Sequence, residues 1–460
     1  MSLAACAVGP DYVRPETPTS VTWHAPLEGG LSSLPPDQAA LAHFWTALDD
    51  ALLSQLVERA LSGNYAVADA EARLGQARAL RKIAIGAFFP TVTGSTSAQR
   101  AHASAGGNNG IGGTVDLYSA NLDASWEIDL FGRLRRGLEA ANADRDAAQE
   151  DLRDVQVSLV GELALAYVDT RALQERLQIA QATLASQNET YDLTQWRAEA
   201  GLTTVLDVEQ ARASLALTQA TIPALRTALA ADMNGIAILI GEQPGATTEL
   251  LEAPQPIPVT PLEVAVGVPA DALAQRPDVR RAERVLAAQT ARIGQVTANA
   301  YPSLNALGSI GLDALTPSGW FHAGAWTGSL AATATQTLFA GGQIIGSIEA
   351  QDAVRDQALA SYQSTVLGAL GEVENALVAY AQEQNRRQAL ADGAAAAERA
   401  LALAQDQYGS GLIDFQVVLD AQRSLYLLQD QLAASEGQVT SDLVRLYKAI
   451  GGGWTREATS

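Results

Sequence analysis

One stretch limits the possible folds more than any other: Tyr118 to Phe131, YSANLDASWEIDLF. Tyr118, Ala120, Leu122, Ala124, Trp126 and Ile128 are apolar, and Ser119, Asn121, Asp123, Ser125, Glu127 and Asp129 between them are polar. Side chains alternate faces along a strand, so the pattern predicts a strand with one greasy and one wet face. About a dozen residues suit a tilted strand that crosses a bilayer. Directly after Gly132 the period changes. Arg133 to Ala200 contains no proline and reads as one helix, roughly 100 Å long at about 1.5 Å per residue. Any fold must accommodate a bilayer-length strand that feeds a very long helix.

Composition agrees. Of 460 residues 48% are hydrophobic but only 5% aromatic, which favours helices packed closely by small side chains. The net charge of −21 excludes a nucleic-acid partner, because phosphate binding needs a basic surface. No run of eighteen apolar residues occurs, so no transmembrane helix is expected. A membrane-spanning chain then needs strands closed into a barrel, since unpaired backbone groups in lipid are too costly. The single cysteine, Cys6, rules out an internal disulfide. Its context, Leu3-Ala4-Ala5-Cys6, resembles a bacterial lipobox, in which the cysteine becomes the acylated first residue. The run before it is shorter than a full signal peptide, so a shortened leader is expected.

Residues 1–38 carry six prolines and read as an extended tail rather than a core. Phe44-Trp45 opens a helical pattern with Leu48, Leu52, Leu56 and Val57, and a second helix starts near Asn64, a suitable cap. Thr91 to Ser104 is a weaker strand, followed by a glycine-rich loop at Gly106 to Gly113. Within the long helix Leu152, Leu159, Ala166, Leu173 and Ala180 repeat every seven residues, with Leu163, Leu177 and Leu184 between, a seam that predicts coiled-coil packing. Ala200-Gly201-Leu202 breaks it. A further helix runs from about Val205 to Ile240, with a kink expected at Pro223. Prolines then mark residues 242–275 as a linker.

After the linker the chain starts again. Glu71 to Pro90 corresponds to Glu283 to Pro302 at an offset of 212, and Leu130-Phe131 to Leu338-Phe339 at 208. Gly201-Leu202 matches Gly411-Leu412, and Ile240-Gly241 matches Ile450-Gly451, both at 210. Residues 39–241 and 276–451 are thus two repeats of helix, strand, strand, long helix and helix, with 452–460 as a tail. In the second copy Leu304 to Leu312 and Trp326 to Thr335 alternate as strands, with Leu307 the exception on the wet face and an exposed turn expected at Leu315 to His322. Four strands cannot close a barrel, for which about eight is the practical minimum. The chain must therefore assemble with other copies to cover its strand edges.

These motifs resemble the outer-membrane efflux protein family, the TolC/OprM-type tunnels, and within it the NodT-like lipoprotein branch. Cys6-Ala7-Val8-Gly9-Pro10-Asp11-Tyr12 is similar to that branch's mature start, and Trp126 to Arg133 to its first strand-to-helix junction. Arg276-Pro277-Asp278-Val279 with Ala282-Glu283 resembles the opening of its second repeat; Tyr301-Pro302-Ser303-Leu304 and Leu338 to Gly342 complete the set. The resemblance spans about residues 6 to 451. It implies an α+β membrane protein whose tandem-duplicated chain forms a trimeric 12-stranded transmembrane β-barrel, continued by a long periplasmic α-helical barrel. It further implies a passive exit duct of a tripartite efflux pump, lipid-anchored in the bacterial outer membrane. The implied partners are two further copies, a periplasmic adaptor, an inner-membrane pump of the RND type and outer-membrane lipid.

The resemblance also implies site residues. The tunnel closes at its periplasmic tip, where paired helices turn at Gly201 and Gly411. An aspartate on the first turn bonds a tyrosine before the second in the family, and the matching positions are Asp207 and Tyr408. Where some members have an arginine this chain has Ile413, so no inter-subunit salt bridge is implied there. Asp414 and Asp420 would form acidic rings on the axis of a trimer, favouring cations; as plain sequence they also suit solvated turns and caps. Trp126 and Trp326 fit a membrane-interface belt or ordinary barrel packing, and Cys6 is the lipidation site.

No enzyme is expected. Asp123, Glu127 and Asp129 fall on the wet face of a strand rather than in a catalytic pair. The glycine run lacks the lysine and hydroxyl of a phosphate loop. His24, His43, His102 and His322 have no metal-ligand spacing. No cofactor is implied. Two other readings share features: the outer duct of a type I protein secretion system, which has the same fold, and a non-pore periplasmic coiled-coil scaffold. The lipobox favours the efflux branch over the first, and the alternating strands argue against the second.

Overall fold

The computed structural model describes residues 7–16, 20–103, 113–261 and 263–454. Cys6 and residues 106–112 of the glycine run lie outside them. The strands are β1 (Leu31–Ser32), β2 (Thr91–Ala103), β3 (Gly113–Ile128), β4 (Val264–Ala265), β5 (Ser303–Ala314) and β6 (Trp326–Thr335). The helices are α1 (Gln38–Ala42), α2 (Ala51–Gly63), α3 (Tyr65–Gly86), α4 (Arg133–Glu199), α5 (Val205–Leu239), α6 (Thr248–Leu251), α7 (Pro269–Gln275), α8 (Pro277–Thr297), α9 (Gln343–Gly409) and α10 (Phe415–Ala449). The duplication shows as equal lengths: α4 and α9 have 67 residues each, and α5 and α10 have 35 each.

The chain divides into two compact units. The first comprises Met1–Glu16, Arg73–Gln149 and Arg281–Gln363. It contains a four-stranded antiparallel sheet in the order β2-β3-β5-β6, which leaves β2 and β6 as open edges. The first repeat's strand β3 and the second repeat's β5 meet in the middle, Leu122 facing Ile310 and Asn121 facing Gly311. Strand β3 stops at Ile128, three residues short of the alternating pattern. Asp129 leaves the ladder because its Oδ2 accepts from the Arg135 backbone amide at 3.0 Å, capping α4. Beyond β5 the expected turn is two short 3-10 helices, Pro317–Phe321 and Ala323–Ala325.

The second unit comprises Thr17–Ala72, Glu150–Arg280 and Ser364–Ser460. Its core brings together Phe44, Leu53, Leu56 and Val57 with Leu163, Tyr167, Leu377, Tyr380, Leu443 and Leu446. The heptad residues Leu173, Leu177 and Leu184 pack with Ala180 against Ile222, Leu225 and Tyr426, as the coiled-coil spacing predicts. Helix α5 continues through Pro223. By length and composition α5 is also apolar enough to cross a membrane, which a search for unbroken apolar runs does not detect.

Two sequence expectations need correction here. The proline-rich tail is extended, yet it supplies core residues: Trp23 and Leu31 are buried. The Trp23 indole donates to the Gly267 carbonyl at 2.9 Å, and Leu31 pairs in parallel with Val264. The linker is likewise ordered, with α6, β4 and α7 in it. Arg171, fully buried, fastens it: its guanidinium donates to the Ala253 carbonyl at 3.1 Å and to Gln174 at 2.7 Å, and Gln174 donates to the Leu251 carbonyl. Proline limits how far a helix can run through a segment; it does not say whether that segment is covered.

Candidate functional site

Residues that face each other across a sheet share a side of it. The register therefore assigns Ala120, Leu122, Ala124 and Trp126 of β3 to one face with Leu312, Ile310 and Ala306 of β5 and Trp326, Leu330 and Ala332 of β6. The opposite face carries Asn121, Asp123 and Glu127, with Ser309, Asn305, Ser329 and Thr333. Leu307 sits on that wet face opposite Ser125, as the sequence indicated. The apolar face is uncovered: Leu122, Ile310 and Trp326 are exposed, and Leu330 is 88% exposed. A continuous exposed apolar face of this kind requires lipid or protein against it. Trp126 lies toward the helix end of the sheet, its indole donating to the Phe88 carbonyl at 2.9 Å, and Trp326 lies at the opposite end, facing Leu312.

At the helix end three arginines crowd the first turn of α4, where the helix dipole disfavours positive charge. Each is matched by a carboxylate. Arg133 forms a two-pronged pair with Glu127, Arg135 pairs with Asp129, and Arg136 bonds Asp11 at 2.7 Å and Glu139 at 2.8 Å. Arg136 is buried and also donates to the carbonyls of Val8 and Gly9. The Val8 amide donates to the Phe131 carbonyl at 3.1 Å. Farther along, the Tyr12 hydroxyl donates to Glu283, which also pairs with Arg14. The segment that follows Cys6 is thus strapped to the strand–helix junction, a role for Arg136 signalled in the sequence only by the awkward charge run.

The other end of α4 and α9 is closed by matching turns. Gly201 (φ +72°) and Gly411 (φ +76°) adopt the left-handed conformation that favours glycine. In each the next two amides turn back, Gly201 to Ala198 and Leu202 to Arg197, Gly411 to Tyr408 and Leu412 to Gln407. The expected Asp207–Tyr408 bond is not formed. Asp207 is occupied in its own turn, accepting from Thr203 Oγ1, Thr204 Oγ1 and the Thr204 amide as half of a capping box. Burial pushes its carboxyl up, but those three donors together hold it below the usual carboxylate range. Tyr408 is buried, and its hydroxyl has no hydrogen-bond partner among the described residues.

Its ring has two partners instead. The Arg197 guanidinium lies 4.6 Å above it, and Phe415 packs 5.4 Å away. Arg197 ends the long helix of the first repeat and Tyr408 that of the second, so this contact joins the two repeats at the turns. Gln422 to Thr190 at 2.8 Å and the two-pronged Arg176–Asp430 pair join them farther along. Asp414 occupies the N-cap position of α10 without a side-chain hydrogen bond and is exposed. Asp420, also exposed, accepts from Gln416 at 3.0 Å and lies 3.8 Å from Arg423.

Residues 56–242 and 268–452 match the profile of the outer membrane efflux protein family, one match for each repeat. The chain belongs to that family. It is 32% identical over 452 residues to nodulation protein T of Rhizobium leguminosarum bv. viciae, covering 98% of this chain and 92% of that protein. It is 30% identical over 461 residues to the toluene efflux pump outer membrane protein TtgF of Pseudomonas putida, with 99% and 95% covered. Among solved structures it is similar to the outer-membrane channel OprN, with TM-score 0.92, 36% identity and coverage of 98% and 100%. It is also similar to the open state of the Neisseria gonorrhoeae MtrE channel, with TM-score 0.85, 26% identity and coverage of 99% and 100%. As a member of the outer membrane efflux protein family, this chain is an outer-membrane efflux channel and not an enzyme.

Proposed function

We propose that three copies close a 12-stranded barrel through their open β2 and β6 edges and form the exit duct of a tripartite pump. The uncovered apolar face of the sheet carries this reading, because it meets lipid only if the edges are satisfied by neighbours. A periplasmic adaptor joins it to an inner-membrane pump of the RND type, which supplies the energy, and the cargo is small toxic organic compounds, in line with relatives named for toluene and solvent efflux. The duct opens at the tip by separation of the helix pairs at Gly201 and Gly411. Its intrachain latch is Arg197 on Tyr408, and Asp414, exposed and without a side-chain partner, lines the axis as an acidic ring. Trp126 and Trp326 lie near the two lipid interfaces.

Cys6 carries the lipid in this reading. Ala7 abuts the strand–helix junction so closely that a Cβ on Gly132 would meet it at 2.7 Å. Cys6→Ser should lose incorporated palmitate.

The deciding experiment is the detergent-corrected mass of protein extracted from outer membranes, followed by bilayer conductance. The expected mass is three times the 48.1 kDa chain. A detergent-independent monomer overturns the duct.

A further inference from the structure

The duplication gives each contact between the repeats inside one chain a second pair of positions, one beside each open edge. Where β3 and β5 leave the sheet, Phe131 of the first repeat stacks on Tyr301 of the second at 4.9 Å. Farther along the same helices, Asp144 of α4 pairs with Arg292 of α8. The duplication maps these four positions onto Phe339, Phe89, Val354 and Leu80. All four are apolar and uncovered: Phe339 is 89% exposed, Phe89 64%, Leu80 54% and Val354 37%. Phe339 and Val354 follow the open edge β6, whereas Leu80 and Phe89 precede the open edge β2. The ion pair that joins the repeats within the chain is replaced, at the duplicated positions, by two partly exposed apolar side chains.

We propose that β6 of one chain pairs with β2 of the next in the register that β3 and β5 have inside the chain. Phe339 then packs on Phe89 of the partner subunit, and Val354 on Leu80 of the partner subunit. This rests on the trimer reading above and adds the contacts to it. Ser125 faces Leu307 within the chain, and the duplicated pair is Thr333 facing Ser95 of the partner subunit. Leu122 faces Ile310, and its counterpart is Leu330 facing Ala98 of the partner subunit. The register keeps the apolar face continuous across the joint, because Leu330 and Ala98 both lie on that face in the single chain. Strand β2 leaves the helices and β6 returns to them, so the joint is antiparallel like the other three pairs. A contact between two different edges repeats head to tail, and it closes when the rotation permits.

Cysteine pairs test the register. A disulfide needs Cβ atoms about 3.5–4.5 Å apart, whereas a pair displaced by two residues is roughly 7–8 Å apart. Ser95→Cys with Thr333→Cys, oxidised in membranes, should give covalent dimers and trimers on a denaturing gel. Ser97→Cys with Thr333→Cys should stay monomeric. Ser125→Cys with Leu307→Cys, which face each other inside the chain, is the control and should close without a change of mass. A native trimer that links through the displaced pair, or that fails to link while the control closes, overturns the register and leaves the trimer standing. A native monomer overturns both. A second set reads the helix contact. Leu80→Arg with Val354→Asp copies the Arg292–Asp144 pair and should keep the trimer that Leu80→Asp with Val354→Asp loses; equal behaviour of the two overturns it.

Discussion

Tyr408 buries its ring, and its hydroxyl has no hydrogen-bond partner among the described residues. Leaving a buried hydroxyl without a partner costs about 1–3 kcal/mol, whereas a cation over the ring contributes about 0.5–2 kcal/mol. Tyr408→Phe should therefore keep the tip closed and leave its stability equal or higher. Arg197→Ala should raise the channel's leak conductance by several-fold in planar bilayers, and a silent Arg197→Ala with a leaky Tyr408→Phe would reverse the assignment. Asp207→Ala should act locally, destabilising the start of α5 by about 1 kcal/mol through loss of its cap, without the leak of Arg197→Ala. The resemblance paired Asp207 with Tyr408, whereas within one chain Asp207 accepts from Thr203 and Thr204 and the Tyr408 ring meets Arg197, because both threonines before Asp207 compete for its carboxylate and no sequence period reports that. Arg136→Ala should free the segment after Cys6, seen as faster proteolysis between Val8 and Arg14 in otherwise folded protein.

Regular elements were legible because their causes are local. The proline-free run from Arg133 gave α4 to within one residue of its observed end, Glu199, and the alternation around Trp126 gave the two faces of β3 but not its bounds, since the strand starts at Gly113, five residues before Tyr118, and ends at Ile128. The β1–β4 pair was not legible: two residues on each strand carry no period, and their partners lie more than 230 positions apart. Helix ends behave as local causes too. Gly201→Ala or Gly411→Ala forces a Cβ into the left-handed conformation at about 1–2 kcal/mol, and thermal melting should show the two costs to be similar, since the turns repeat each other. Helices also carry a pH response. Burial raises the carboxyls of Glu175 and Glu436, and Glu436 adds to the rise at Glu175. Their folded values exceed the ordinary 4.5, so the folded state holds more protons in that window. Stability should rise as pH falls through the folded values and stop rising below the ordinary one. Melting temperatures taken from pH 7 down to 5 should show this, and Glu436→Gln should flatten the curve.

At the scale of the whole molecule, one chain offers four strands and two unsatisfied edges, and the efflux family's duct is a property of the assembly. The equal lengths of α4 and α9, and of α5 and α10, then restrict how such a chain can change. In the ring of three chains proposed above, six limbs must end at one level for a tip to seal. Removing one helical turn from α4 alone would leave alternate limbs about 5.4 Å short, three gaps wide enough for water. The same removal made in α4 and α9, and in the returning α5 and α10, keeps the rim level. On that reading helix length can be edited only in matched sets, which fits two repeats whose strands differ in length, 16 residues in β3 against 10 in β6, while their long helices agree to the residue.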